Sequence, residues 1–283
     1  MSDHHDADEA AGGEERRSSG TDGEERRSSG TDGEERRSSG TDGDPTRHAA
    51  RAAVYAALAG ALGYPDDVAV AELTADETAD GLRGAAETLD GLDDEVEGFV
   101  DAFAAVDAEG LRRVYDDLFG VPDGDGYPVV PYEAEYTVGD EVSHKQRRVA
   151  TVSGLLDAFG LDLSDGFDER HDHVALELEL MQVLAGRRAV AADADLDDEA
   201  STLREAEATL LSQHLRSFVP AFAAEVRAAL ADRHGGGADD DALGPAATAY
   251  RATVDLAEAL VETDVEAHPP GLAVPDDEGG EAP

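Results

Sequence analysis

The chain has 283 residues, with 66 acidic side chains against 22 basic ones, a formal charge of −44, and neither cysteine nor tryptophan. The missing cysteines exclude disulfides, thiolate metal ligands, cysteine-bound iron–sulfur clusters and a cysteine nucleophile within this chain. The charge argues against nucleic acid or anionic lipid as partners, because both would be repelled.

Of the basic residues only Lys145 is a lysine. An acidic, lysine-poor, alanine-rich chain resembles proteins of salt-accumulating halophiles. At about 1 M salt the screening length falls to about 3 Å, which removes most of the self-repulsion such a surface would suffer in dilute buffer. No run of about 18 apolar residues exists to span a bilayer and no apolar segment opens the chain, so a soluble cytoplasmic protein is expected.

Residues 1–44 are almost devoid of large apolar side chains and carry the decapeptide GEERRSSGTD three times, at 13–22, 23–32 and 33–42. A period of ten is far shorter than a solenoid repeat, so this segment reads as a disordered, expanded linker. Its Arg-Arg pairs lack the apolar run that an export signal would need. Residues 266–283 read as a second flexible tail, leaving 45–265 as one folded domain.

Asp44-Pro45 is a helix-start signal, followed at helical spacing by Ala50, Val54, Ala57, Leu58, Ala61 and Leu62, with Gly63 and Pro65 as the stop. A weaker helix is expected over 76–89. Stripes of Val96, Phe99, Val100, Phe103 and Val106, then Leu111, Val114, Tyr115 and Leu118, predict two more before Gly120. Prolines and glycines crowd 121–141 and deny it regular structure, so it reads as a long, functional loop. Helix resumes with Val149, Val152, Leu155, Leu156 and Phe159.

The segment after Glu169 is ambiguous by periodicity alone. "HVALELELM" alternates as a strand would, but its residues are good helix formers and no partner strand is apparent, so a mostly buried helix over 173–185 is expected. Asp172 is the natural N-cap and His173 then falls in the first turn, one turn from Glu177. Beyond it, Leu203, Leu210, Leu211, Leu215 and Phe218 lead to a break at Pro220, after which Phe222, Val226 and Leu230 continue. A glycine-rich loop at 235–244 precedes a last helix carrying Tyr250, Val254, Ala257, Leu260 and Val261. The expected fold is therefore all-α, about eight to ten helices in a single domain.

Chemistry is sparse. His171 and His173 form an H-x-H pair without the spacing of a zinc-protease helix, and no G-x-S-x-G or phosphate loop is present. No catalytic residue, metal site or cofactor is expected. A metalloenzyme built on the two histidines remains the third reading.

Four segments, in order, resemble a known family. Tyr115-Asp116-Asp117-Leu118-Phe119 is similar to an aromatic-x-x-Leu-Phe motif. Pro131-Tyr132-Glu133-Ala134-Glu135-Tyr136 is similar to a Pro-Tyr-Glu-x-x-Tyr loop. Glu169-Arg170-His171-Asp172-His173 resembles an E-x-P-D-H signature, with His171 in place of its proline, and "HLRSFVPAFAAEV" at 214–226 resembles a late His-Leu and Pro-x-Phe segment. Together they resemble the TorD/DmsD/NarJ family of redox-enzyme maturation chaperones.

The resemblance implies a non-enzymatic cytoplasmic chaperone for a molybdopterin oxidoreductase of the dimethyl-sulfoxide, trimethylamine-oxide or nitrate reductase type. Such a protein binds the immature catalytic subunit, often at its twin-arginine signal peptide. Tyr115, Leu118, Phe119, Pro131, Tyr132, Glu133, Tyr136, Glu169, Asp172, His173 and Glu177 are the implied client-binding residues. Monomer and dimer are both open. The alternative is a helical scaffold or regulatory module without a molybdoenzyme client.

Overall fold

The computed structural model describes residues 43–120, 127–136, 142–163, 169–234 and 243–268. The decapeptide repeats, most of the glycine-rich loop and the end of the chain lie outside these residues. Among the described residues there are ten α-helices and no strand, as the patterning predicts.

Helix α1, Pro45–Leu62, starts as read: the Asp44 carboxylate accepts from the Thr46 N–H and Pro45 takes the first turn, where its missing N–H costs nothing. A short helix α2, Asp67–Leu73, follows within a segment assigned no element from sequence. Its signal is present in Pro65-Asp66, where the Asp66 side chain accepts from Val68 and Ala69 N–H. Helix α3 covers Asp76–Ala86, three residues short of the expected end. Helices α4, Asp93–Ala104, and α5, Ala108–Phe119, carry the two apolar stripes. Gly120 closes α5 because any Cβ there would lie 2.4 Å from the Asp116 carbonyl oxygen.

The long loop contains a 3-10 turn, Glu133–Tyr136. Helix α6 runs Val142–Ala158 and ends at Gly160, whose φ of +62° suits glycine. Helix α7 runs Val174–Asp193, well beyond the expected 185, with buried residues on nearly every side. Helices α8, Asp197–Leu210, and α9, Arg216–Arg233, are joined by a π turn, Leu211–Leu215. Helix α10, Pro245–Ala267, closes the fold and overruns the expected boundary at 265.

Two local expectations are corrected. Pro220 does not break the chain; it lies inside α9. The wider π turn just upstream adjusts the helix where the proline ring must clear a carbonyl, so the two halves stay continuous. The N-cap of α7 is His173, whose Nδ1 accepts from the Ala175 N–H at 3.2 Å, and not Asp172. Asp172 is drawn away by a tertiary partner described below.

Helix α7 packs along α1 and α8, while α10 packs against α4 and α9. Where these layers meet, Arg51 of α1 bonds both oxygens of Asp264 on α10, at 2.8 and 2.9 Å from Nε, and reaches Glu207 of α8 at 3.0 Å. Arg188 of α7 reaches the same Glu207 oxygen at 2.9 Å, and the Tyr55 hydroxyl donates to Asp264. Apolar burial sets the layers; these ions fix their register.

Candidate functional site

The loop of 131–136 and the loop of 169–173 zip together. Glu133 N donates to Asp172 O and Val174 N to Pro131 O, both at 2.9 Å, making an isolated antiparallel bridge between Tyr132 and His173. The Asp172 carboxylate accepts from the Ala134 N–H at 3.0 Å and from Arg170 at 2.9 and 2.7 Å. It is fully buried, so its task is to hold one loop on the other. A buried carboxylate survives because backbone N–H and guanidinium replace its water.

His173 stacks edge-on against Tyr132 at 5.6 Å between ring centroids. Burial pushes its imidazole down to about 4, against the opposing pull of Glu169 and Asp172, so the ring is neutral and its Nδ1 is available as a cap acceptor. A protonated His173 could not accept that bond.

The other two sequence segments reach the same place. Tyr136 lies 5.1 Å from Phe218 and 6.5 Å from Phe222, ring to ring. Phe119 stacks on Phe222 at 6.0 Å and meets Tyr115 at 5.1 Å. Val129 N donates to Leu118 O, which pins the long loop at that residue to the last turn of α5. All four motifs thus converge on 131–136.

Their exposure divides them. Leu118, Phe119, Pro131, Glu133, Asp172, His173 and Glu177 are buried, whereas Tyr115, Tyr132, Tyr136 and Glu169 reach the surface. Tyr132 donates to Glu169, and burial and that carboxylate raise the Tyr132 phenol. Burial, then Glu169, pushes Tyr115 up to about 12. Tyr64 and Tyr127, 57% and 41% exposed, extend this surface through edge contacts to Tyr115 and Tyr132. The Arg170 guanidinium sits 4.7 Å above the Tyr132 ring and also bonds Glu135. Glu135 is held below the usual carboxylate range, first by its hydrogen bond from Lys145, the single lysine.

Behind the clasp lies a buried polar cluster. One ligand atom from each of Glu133, Glu177 and His214 lies within 4.8 Å of the other two. His214 Nδ1 is 2.8 Å from Glu133 Oε2, and Arg148 donates to Glu133 Oε1 and to the Gln213 carbonyl. Burial, with Glu133 and Asp172 nearby, raises the Glu177 carboxyl well above its ordinary value. His171 and His173 take no part: Ser153 Oγ lies 2.6 Å from His171 Nδ1, and His173 caps α7.

Arg148, Arg170, Tyr64, Tyr127 and the part played by His214 were missed from sequence. The late His-Leu segment flagged the position of His214 but nothing in its spacing points to Glu133. No one-dimensional signal marks Arg148.

Residues 84–224 match the family model described as nitrate reductase delta subunit. The chain belongs to that family. The match spans the first three motifs, the clasp, the buried cluster and the fourth motif as far as residue 224, from α3 into α9. Members of this NarJ/TorD-type family are chaperones of molybdoenzyme maturation that bind catalytic subunits and are not themselves catalysts. No curated protein and no solved structure gives a match. Among the described residues no helix is long and apolar enough to cross a membrane.

Proposed function

We propose that this NarJ-type chaperone acts in the cytoplasm of a salt-accumulating cell and grips the twin-arginine signal peptide of its molybdoenzyme client at the tyrosine surface around Glu169. The observation that carries this reading is Arg170 over Tyr132. The surface already receives one guanidinium by ring stacking and carboxylate bonding. A client arginine would be recognised by the same chemistry, with Tyr64, Tyr115 and Tyr127 as further ring faces and Glu169 as counter-charge.

In concentrated salt, exposed ion pairs are screened, so stacking and apolar burial at about 25 cal/mol per Å² supply most of the affinity. The buried members of the implied site, Asp172 and His173 above all, act by holding the surface in shape. Titration of a signal peptide carrying two arginines, in multimolar KCl, tests the reading. Tyr132→Ala and Glu169→Gln are expected to weaken binding about tenfold, roughly 1.4 kcal/mol. Replacing the peptide arginines by lysine should do the same, since lysine offers no planar face. Unchanged affinity for both variants would sink the assignment.

A further inference from the structure

The geometry points to a divalent transition-metal site, of the Zn2+ class, formed by Glu133, Glu177 and His214. It lies beneath the client surface and does not depend on what that surface binds.

The case starts from unmet bonding capacity. Glu177 is 0% exposed and neither of its oxygens has a hydrogen-bond partner. The Nε2 of His214, 1% exposed, is likewise without one. Buried carboxylates are paired, protonated or bound to a metal. Pairing is absent, because the nearby guanidinium of Arg148 bonds Glu133 and the Gln213 carbonyl instead. Protonation removes the charge but creates an O–H that needs an acceptor, and neither Glu177 oxygen has a hydrogen-bond partner among the described residues. A cation satisfies both carboxylates and the imidazole together.

The donor set selects the ion. Ca2+ takes six to eight oxygens and Mg2+ keeps a shell of water, and neither favours a buried site with an imidazole. Two carboxylates and one histidine suit a first-row divalent ion of borderline softness. Arg148 on Glu133 Oε1 is the outer bond that ligating carboxylates usually carry.

The backbone supplies a second pointer. His214 lies in the π turn Leu211–Leu215, and such insertions re-aim a side chain and occur often at functional sites. The three ligands come from the 3-10 turn, α7 and the π turn, so a bound ion would tie the long loop to two helices.

Equilibrium dialysis of the chelator-stripped full chain against Zn2+, in multimolar KCl with excess Mg2+, tests this. One Zn2+ per chain is expected, weakened at least tenfold in Glu177→Gln and in His214→Ala and unchanged in the surface control Glu199→Gln. Co2+ as probe should give the intense visible bands of a low-coordinate site in the wild type alone. Zn2+ should raise the melting temperature of the wild type and not of Glu177→Gln, which keeps side-chain shape and is checked for folding by circular dichroism. Wild type binding no more Zn2+ than Glu177→Gln, or showing the pale spectrum of hydrated Co2+, overturns the assignment and leaves Glu177 a buried acid.

Discussion

Two buried ionic clusters in this one fold are built on opposite terms. Between α1, α7, α8 and α10, the carboxylates of Asp264 and Glu207 face the guanidiniums of Arg51 and Arg188, all at most 3% exposed. Beneath the clasp, Arg148 is the guanidinium that faces the carboxylates of Glu133 and Glu177 among the described residues, and it bonds Glu133 while remaining 28% exposed. Burial alone would push Glu207 up, yet Arg51, His268 and Arg188 bring it down to about 2. Glu177, with burial and like charge acting together, moves the other way. The same low dielectric therefore stabilises one acid and strains the other. Counter-charge within bonding distance decides which.

The largest effect is expected from breaking the compensated cluster. Arg51→Met strands Asp264 and Glu207 in the interior and should cost about 3–5 kcal/mol, read by denaturant unfolding. Because the pair is buried, the loss should persist in multimolar salt. A loss below 1 kcal/mol would show that the network is solvated and remove the contrast.

Acidification separates the regions next. The folded His173 pKa of about 4 lies below its ordinary 6.5, so the unfolded chain binds a proton that the folded chain refuses. That stability is complete above pH 6.5 and is lost as pH falls toward 4, by about 3 kcal/mol. Glu207, depressed from 4.5 to about 2, keeps its contribution above pH 4.5 and loses it as pH falls toward 2. His173→Asn preserves an N-cap acceptor and should erase only the upper step of a stability–pH curve. An unchanged upper step would assign it to other groups.

In metal-free protein at neutral pH, Glu177→Met removes a buried carboxyl without a hydrogen-bond partner and should stabilise the fold by roughly 1–2 kcal/mol. Destabilisation would mean that Glu177 has a partner and that the clusters are alike. The smallest effect belongs to the surface. Arg83 is 42% exposed and bonds Glu97 at 2.8 Å, so solvent screens the pair and Arg83→Ala should leave the denaturant midpoint almost unchanged in dilute buffer and less affected again in salt.

The clasp shows how far sequence reading reaches into a site. Tyr132 and His173 were named from separate motifs, and the chain joins them by backbone pairing. Local chemistry favours Asp172 as the N-cap at the start of the following helix. The tertiary competitor, the Ala134 N–H with Arg170, wins because it gives the buried carboxylate three bonds. His173 then inherits the cap, which a neutral imidazole can provide. Exposure followed no motif: neighbours in one signature, such as Glu169 and Asp172, lie outside and inside.

Local rules settled the helical class, the Asp44-Pro45 start, the Gly120 stop and the apolar faces, because spacing at 3.6 residues and cap chemistry act within a few residues along the chain. Helix packing decided which charges are compensated. Arg51 meets Asp264 across 213 positions and Glu133 meets His214 across 81. Whether a buried acid finds a counter-ion depends on such distant meetings, and composition, with 66 acids to choose from, gives no hint that Glu177 is left without a hydrogen-bond partner among the described residues.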